Sequence, residues 1–101
     1  MKESRIEARL TQGVKALGGI AYKFVSPGNV GVPDRLVILP GGKVIFVELK
    51  TDTGRLSPMQ ARQIRELRRR DAEVWVVYGE DGLKSFLEAC REYIAERGVA
   101  K

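Results

Sequence analysis

Asp34, Glu48 and Lys50 stand at the ends of two oily runs, "DRLVIL" and "KVIFVELK", in a stretch otherwise composed for burial. Pro40-Gly41-Gly42 separates the runs and suits a short antiparallel hairpin loop. With Gly41 at the centre of that loop, Leu39 faces Lys43 and Asp34 faces Glu48. Opposed side chains lie roughly 4.5 to 5.5 Å apart at Cβ on one face of a sheet. Lys50, two residues past Glu48, returns to the same face. A slip of one residue would scatter the three, so the pattern stands on that register.

Two carboxylates this close repel, and one of them must gain protons, swing away or share a cation. The chain has no histidine and a single cysteine, which excludes a Cys/His zinc site, an internal disulfide and a Ser-His or Cys-His catalytic pair. A metal bound here would therefore take oxygen ligands, which points to magnesium, with manganese as a substitute. Cys90 falls among apolar helix positions and reads as core.

Composition sets the frame around this cluster. A chain of 101 residues, 44% hydrophobic and 31% charged, supports one globular α/β domain with a core over residues 3–96 and a loose tail over 97–101. No apolar run reaches the roughly 18 residues a membrane helix needs, and "MKESRIEARL" lacks the apolar stretch of a signal peptide, so a cytoplasmic, membrane-free protein is expected. The net charge of +5 and a pI of about 9.7 make nucleic acid a fair partner.

The elements that must position the cluster follow from periodicity. Ile6, Leu10, Val14 and Leu17 predict a helix over 3–17, stopped by Gly18-Gly19. A strand over 20–25 leads into the Gly/Pro-rich loop "SPGNVGVP". Both faces of the two hairpin runs are apolar, which predicts the middle of a sheet with helices on each side. Ser57, Pro58 and Gln60 predict an N-cap, a first helical position and a capping box for a helix reaching about Arg70. "EVWVVY" predicts a strand, and Leu83, Phe86, Leu87, Cys90 and Ile94 stripe a last helix. The predicted order is α-β-β-β-α-β-α, a mixed sheet flanked by helices.

"PD", a strand and turn, then "ELK" resembles the Pro-Asp…(Asp/Glu)-x-Lys pattern of the PD-(D/E)XK nucleases, and the element order resembles their restriction-endonuclease-like core. The longer stretch "GGIAYKFVSPGNVGVPDRLVILPGGKVIFVELKTDTGRLSPMQ" is similar to the VRR-NUC domain, the virus-type replication-repair nuclease. The resemblance implies a metal site formed by Asp34, Glu48 and the backbone carbonyl of Leu49, with Lys50 beside the scissile phosphate. It also implies a site glutamate on the first helix, for which Glu3 and Glu7 are candidates; Glu7 borders the apolar stripe and is preferred. Gln60 is expected to support the site as well, because it lies on the core-facing arc of its helix, where an amide needs a partner.

What the resemblance implies for function is a metal-dependent endonuclease acting on branched DNA, such as a four-way (Holliday) junction, as a homodimer. Lys23, Ser26, Arg35 and Arg62 are the expected contacts to the phosphate backbone. Arg65, Arg68, Arg69 and Arg70 share the outward arc with Arg62 and could be a phosphate-tracking face or a solvated one. The rivals are a DNA-binding module of the same fold that does not cut, and a junction resolvase or restriction-like endonuclease of the wider superfamily.

Overall fold

The computed structural model describes residues 2–98. Helix α1 (Glu3–Ala16) is followed by strands β1 (Ile20–Lys23), β2 (Arg35–Leu39) and β3 (Lys43–Lys50), then helix α2 (Pro58–Arg69), strand β4 (Glu73–Tyr78) and helix α3 (Gly79–Arg97). This is the order expected from the sequence. The strands lie side by side as β1-β2-β3-β4, the first two pairings antiparallel and the last parallel, so β2 and β3 are central. The crossover through α2 makes β4 run parallel to β3.

The hairpin has the register that the Gly41-centred turn predicts, with Leu39 opposite Lys43 and Arg35 opposite Val47. Gly41 and Gly42 both take positive φ, +92° and +87°, which other residues resist. β1 is shorter than the 20–25 read from sequence, although the Phe24 N–H still donates to the Asp34 carbonyl at 2.9 Å. The chain then leaves the sheet in a turn closed by the Asn29 N–H, which donates to the Ser26 carbonyl at 3.0 Å.

Alternation then divides the sheet into two unlike faces. On one, Val37, Leu39, Ile45, Val47, Leu49 and Val77 meet Ile6, Leu10 and Val14 of α1 and Leu83, Phe86, Cys90 and Ile94 of α3 in a single buried core. Trp75 packs edge-on against Phe86 within it, and burial pushes the Cys90 thiol up to about 12. The opposite face is covered over β4 by α2, whose Ile64 is buried. Beyond the reach of α2, Ile20, Tyr22 and Val44 are left exposed on that face.

Candidate active site

β3 outruns β2: the paired ladder ends at Arg35 and Val47, while β3 continues through Glu48, Leu49 and Lys50. β4 supports this overhang from the other side, pairing Glu48 with Val76, Leu49 with Val77 and Lys50 with Tyr78. On the β2 side, Asp34 Oδ1 accepts the Leu49 N–H at 3.1 Å, so the aspartate stands where a ladder carbonyl would otherwise stand. Continuing the register puts Pro33 opposite Leu49, and proline has no N–H to give the Leu49 carbonyl. The "PD" pair thus caps one backbone group of β3 and leaves a carbonyl oxygen without a ladder donor.

Glu48 is the unusual member. It is only 4% exposed, yet its charged partners are few: Oε2 accepts from Gln60 Nε2 at 3.2 Å and lies 3.6 Å from Lys50 Nζ. Burial first, and the neighbouring Asp34 carboxylate second, raise its pKa from an ordinary 4.5 to about 7. Lys50 pulls in the other direction, and Glu3 adds a smaller upward push. Near neutral pH this acid is therefore divided between its two forms, and a cation placed between it and Asp34 would tip it to the carboxylate.

The start of α2 fixes Glu48 from above. Ser57 is the N-cap and its side chain accepts from the Gln60 N–H at 3.1 Å, while Gln60 Oε1 accepts from the Ser57 N–H at 2.9 Å. The same amide turns its Nε2 to Glu48. Gln60 thus serves both readings that its position suggests, as cap and as site residue. The loop between β1 and β2 is pressed onto this helix start. A Cβ on Gly31, whose φ is +92°, would lie 2.7 Å from the Met59 backbone, and Gln63 Nε2 donates to the Val30 carbonyl at 3.3 Å.

Asp34, Glu48, Lys50, the Leu49 backbone and Gln60 therefore come together at one end of the sheet. Glu7 does not join them, and Arg35 touches only the edge of the group, its NH1 4.0 Å from Asp34 Oδ2. Arg35, one residue from Asp34, points to the opposite face, where it is nearly enclosed and pairs with Glu7 at 3.0 Å. Its NH1 also donates to the Asp34 carbonyl at 2.9 Å. Neither residue is thus free in the way the sequence reading expected, Glu7 as the site glutamate and Arg35 as a phosphate contact. Alternation turns Arg35 toward the α1 side of the sheet, but nothing in the sequence names Glu7 as its partner there.

The remaining basic candidates are spread more widely. Lys23 and Arg62 are exposed, whereas Ser26 accepts from Asn29 Nδ2 through its hydroxyl at 2.9 Å and closes a turn. Arg68 donates to the Val74 carbonyl, and Arg69 and Arg70 pair with Glu66, so much of the arginine arc is occupied by local partners. No helix among the described residues is long and apolar enough to cross a membrane.

Comparison with known proteins matches this arrangement to a family. The model of the VRR-NUC domain matches residues 4–81, which span α1 through the start of α3 and every residue of the cluster. The chain belongs to the VRR-NUC family. It is 48% identical over 89 residues to a protein named "Putative nuclease p44" of Acyrthosiphon pisum secondary endosymbiont phage 1, covering 88% of this chain and 95% of that relative. A solved structure described as a VRR_NUC domain is 36% identical, with a TM-score of 0.80 over 85% of this chain and 94% of its own. A second, described as a VRR_NUC domain protein, shares the fold at a TM-score of 0.71 with 15% identity, over 91% of this chain and 89% of its own.

The donor set fits a hard divalent cation. Two facing carboxylates and a carbonyl without a ladder donor are all oxygen ligands, and the raised pKa of Glu48 marks a conflict that such an ion would relieve. Among the described residues no three acidic or thiol side chains converge closely enough to hold an ion alone. An ion here would draw on Asp34, Glu48, the Leu49 carbonyl and water.

Proposed function

We propose that this VRR-NUC domain is a magnesium-dependent endodeoxyribonuclease that hydrolyses phosphodiester bonds in branched DNA, four-way junctions foremost, with manganese able to replace magnesium. The observation that carries the reading is the juxtaposition of Asp34 and Glu48 at the overhanging end of β3, with Lys50 on the same face. The nuclease named among its relatives supports it.

Bound between the two acids, magnesium would polarise a phosphate oxygen and acidify water at neutral pH. Asp34 and Glu48 would hold it, with the Leu49 carbonyl, while Gln60 holds the Glu48 carboxylate in place. Lys50 gives up its 3.6 Å pairing with Glu48 to face the scissile phosphate, where its ammonium offsets the negative charge that grows as water attacks in line. Of the two first-helix glutamates, Glu3 is the better placed to approach the ion. Glu3 is exposed and its charge is felt at Glu48, whereas Glu7 is engaged with Arg35. Glu7 then acts through Arg35, which steadies the Asp34 backbone.

One such site cuts one strand, so we read the working form as a homodimer. The exposed Ile20, Tyr22 and Val44 on the half-covered sheet face supply an apolar surface for it.

The test is incubation of the purified chain with end-labelled four-way junction, flap and linear duplex, in magnesium or in chelator. Cleavage that needs the metal and is lost in Asp34→Asn and Glu48→Gln, with DNA binding retained, supports the reading. Bound but intact DNA with every divalent ion would make the chain a binding module instead.

A further inference from the structure

The most exposed large apolar side chains among the described residues are Val25 and Val30, at 68% and 70%, and both lie on the loop between β1 and β2. Scattered exposed valines need no explanation. These two are neither scattered nor loosely held. The Asn29 N–H donates to the Ser26 carbonyl at 3.0 Å and Asn29 Nδ2 to the Ser26 hydroxyl at 2.9 Å, closing a four-residue turn. Val25 and Val30 flank the two ends of that turn.

Both valines are tied by short links to the candidate site. Val25 follows Phe24, whose N–H is bonded to the Asp34 carbonyl. Val30 precedes Gly31, which is wedged against the Met59 backbone, and the next residue, Gln60, holds Glu48. Met59 is itself 41% exposed and lines one hollow with Val30 and Arg62. Val30 and Met59 thus form an exposed apolar ridge beside Arg62 and Glu66, and the turn presents exposed Val25 and, two residues before it, Lys23 on its other flank. Cations beside an apolar ridge suit a polyanion whose backbone is held while something apolar meets the bases.

We propose that this ridge is a wedge that packs against the unstacked base pairs at a DNA branch point and so selects branched over continuous duplex. Apolar side chains inserted at a base step of continuous duplex must meet the cost of unstacking it, and a branch point lowers that cost. The loop is tied to the acids through the Phe24 N–H bond to the Asp34 carbonyl and through Met59 next to Gln60, so a branch point seated on it lies within reach of Asp34 and Glu48. This inference rests on the nuclease reading for the position of the DNA, but its test does not require cleavage.

The experiment uses the full chain, a four-way junction and a linear duplex, each carrying 2-aminopurine, at the branch point or mid-duplex respectively. Calcium replaces magnesium for binding and magnesium is used for rates. The wild type is expected to raise the junction fluorescence and leave the duplex unchanged. The double variant Val25→Ser, Val30→Ser should lose that rise and cut the junction at least about 10-fold more slowly relative to duplex, while Val30→Ile restores both. A double variant that raises fluorescence and prefers junctions like the wild type overturns the wedge and leaves the nuclease intact. A wild type that cuts nothing but shows the valine-dependent rise supports the wedge and sinks the nuclease. Should the serines instead convert a dimer to a monomer in sedimentation, with the fluorescence change intact, the ridge is a contact between copies and the wedge is wrong.

Discussion

Asp34, just before β2, and Arg35, its first residue, turn toward opposite sides of the sheet, with Arg35 NH1 still 4.0 Å from Asp34 Oδ2, and the two sides treat charge differently. On the sealed side Arg35 is enclosed, paired with Glu7 at 3.0 Å and bonded to a backbone carbonyl. Its charge is answered. On the half-covered side Glu48 is as deeply enclosed but faces Asp34, and its one cation, Lys50, stands at 3.6 Å. Its charge is answered only in part, and burial with Asp34 beside it lifts its pKa to about 7. A fold that can satisfy a buried ion on one face and leaves one strained on the other marks the second as the place where something is meant to bind.

That contrast breaks first at Lys50. If it acts on the reacting phosphate, Lys50→Ala lowers the cleavage rate by on the order of 10² to 10³ and barely changes DNA affinity, as read by single-turnover kinetics beside equilibrium binding. An equal loss in both would make it a simple phosphate contact.

The strain on Glu48 gives the next effect. Its folded pKa lies above its ordinary value, so between about pH 4.5 and 7 the folded chain holds a proton that the unfolded chain has released. Stability contributed by this group is present below that window and is lost as pH rises through it, by about 3 kcal/mol for a shift of this size. Urea unfolding of the metal-free protein across this range should show the fall, and Glu48→Gln should flatten it. A wild-type profile no steeper than that of the variant would remove the strain from the account.

The sealed face answers in stability rather than rate. Arg35→Met strands Glu7, whose side chain is 35% exposed, so the cost should fall below that of a fully buried pair, at roughly 2 to 3 kcal/mol in denaturant unfolding. Smaller again is Ser57→Ala, which removes the acceptor at the α2 N-terminus for about 1 kcal/mol. Gln60 keeps its bond to Glu48 in that variant, so its cleavage rate should stay within a few-fold of wild type.

Much of this was legible before any coordinates. Turn chemistry at Gly41 and Gly42 fixes the hairpin register, and with it the meeting of Asp34 and Glu48; the capping box announces α2 two residues from where it begins its work on Glu48. Local rules suffice there because each contact is set by spacing along one hairpin or one helical turn. They fail where the partner comes from a distant element. Nothing near Glu7 in the chain shows that Arg35 claims it, and helical position alone favoured Glu7 over Glu3 for the site. The anchoring of the β1–β2 loop on Met59 is equally invisible, since the space that only glycine fits at position 31 is made by a helix 28 residues later.

Whether Asp34 and Glu48 share one divalent cation is read by calorimetric titration of magnesium and manganese into the DNA-free protein at pH 7. The wild type should show a single site whose binding releases about half a proton as the protonated fraction of Glu48 ionises, and which is lost in both Asp34→Asn and Glu48→Gln. Undiminished binding in either variant, or binding without proton release, would contradict a shared cation.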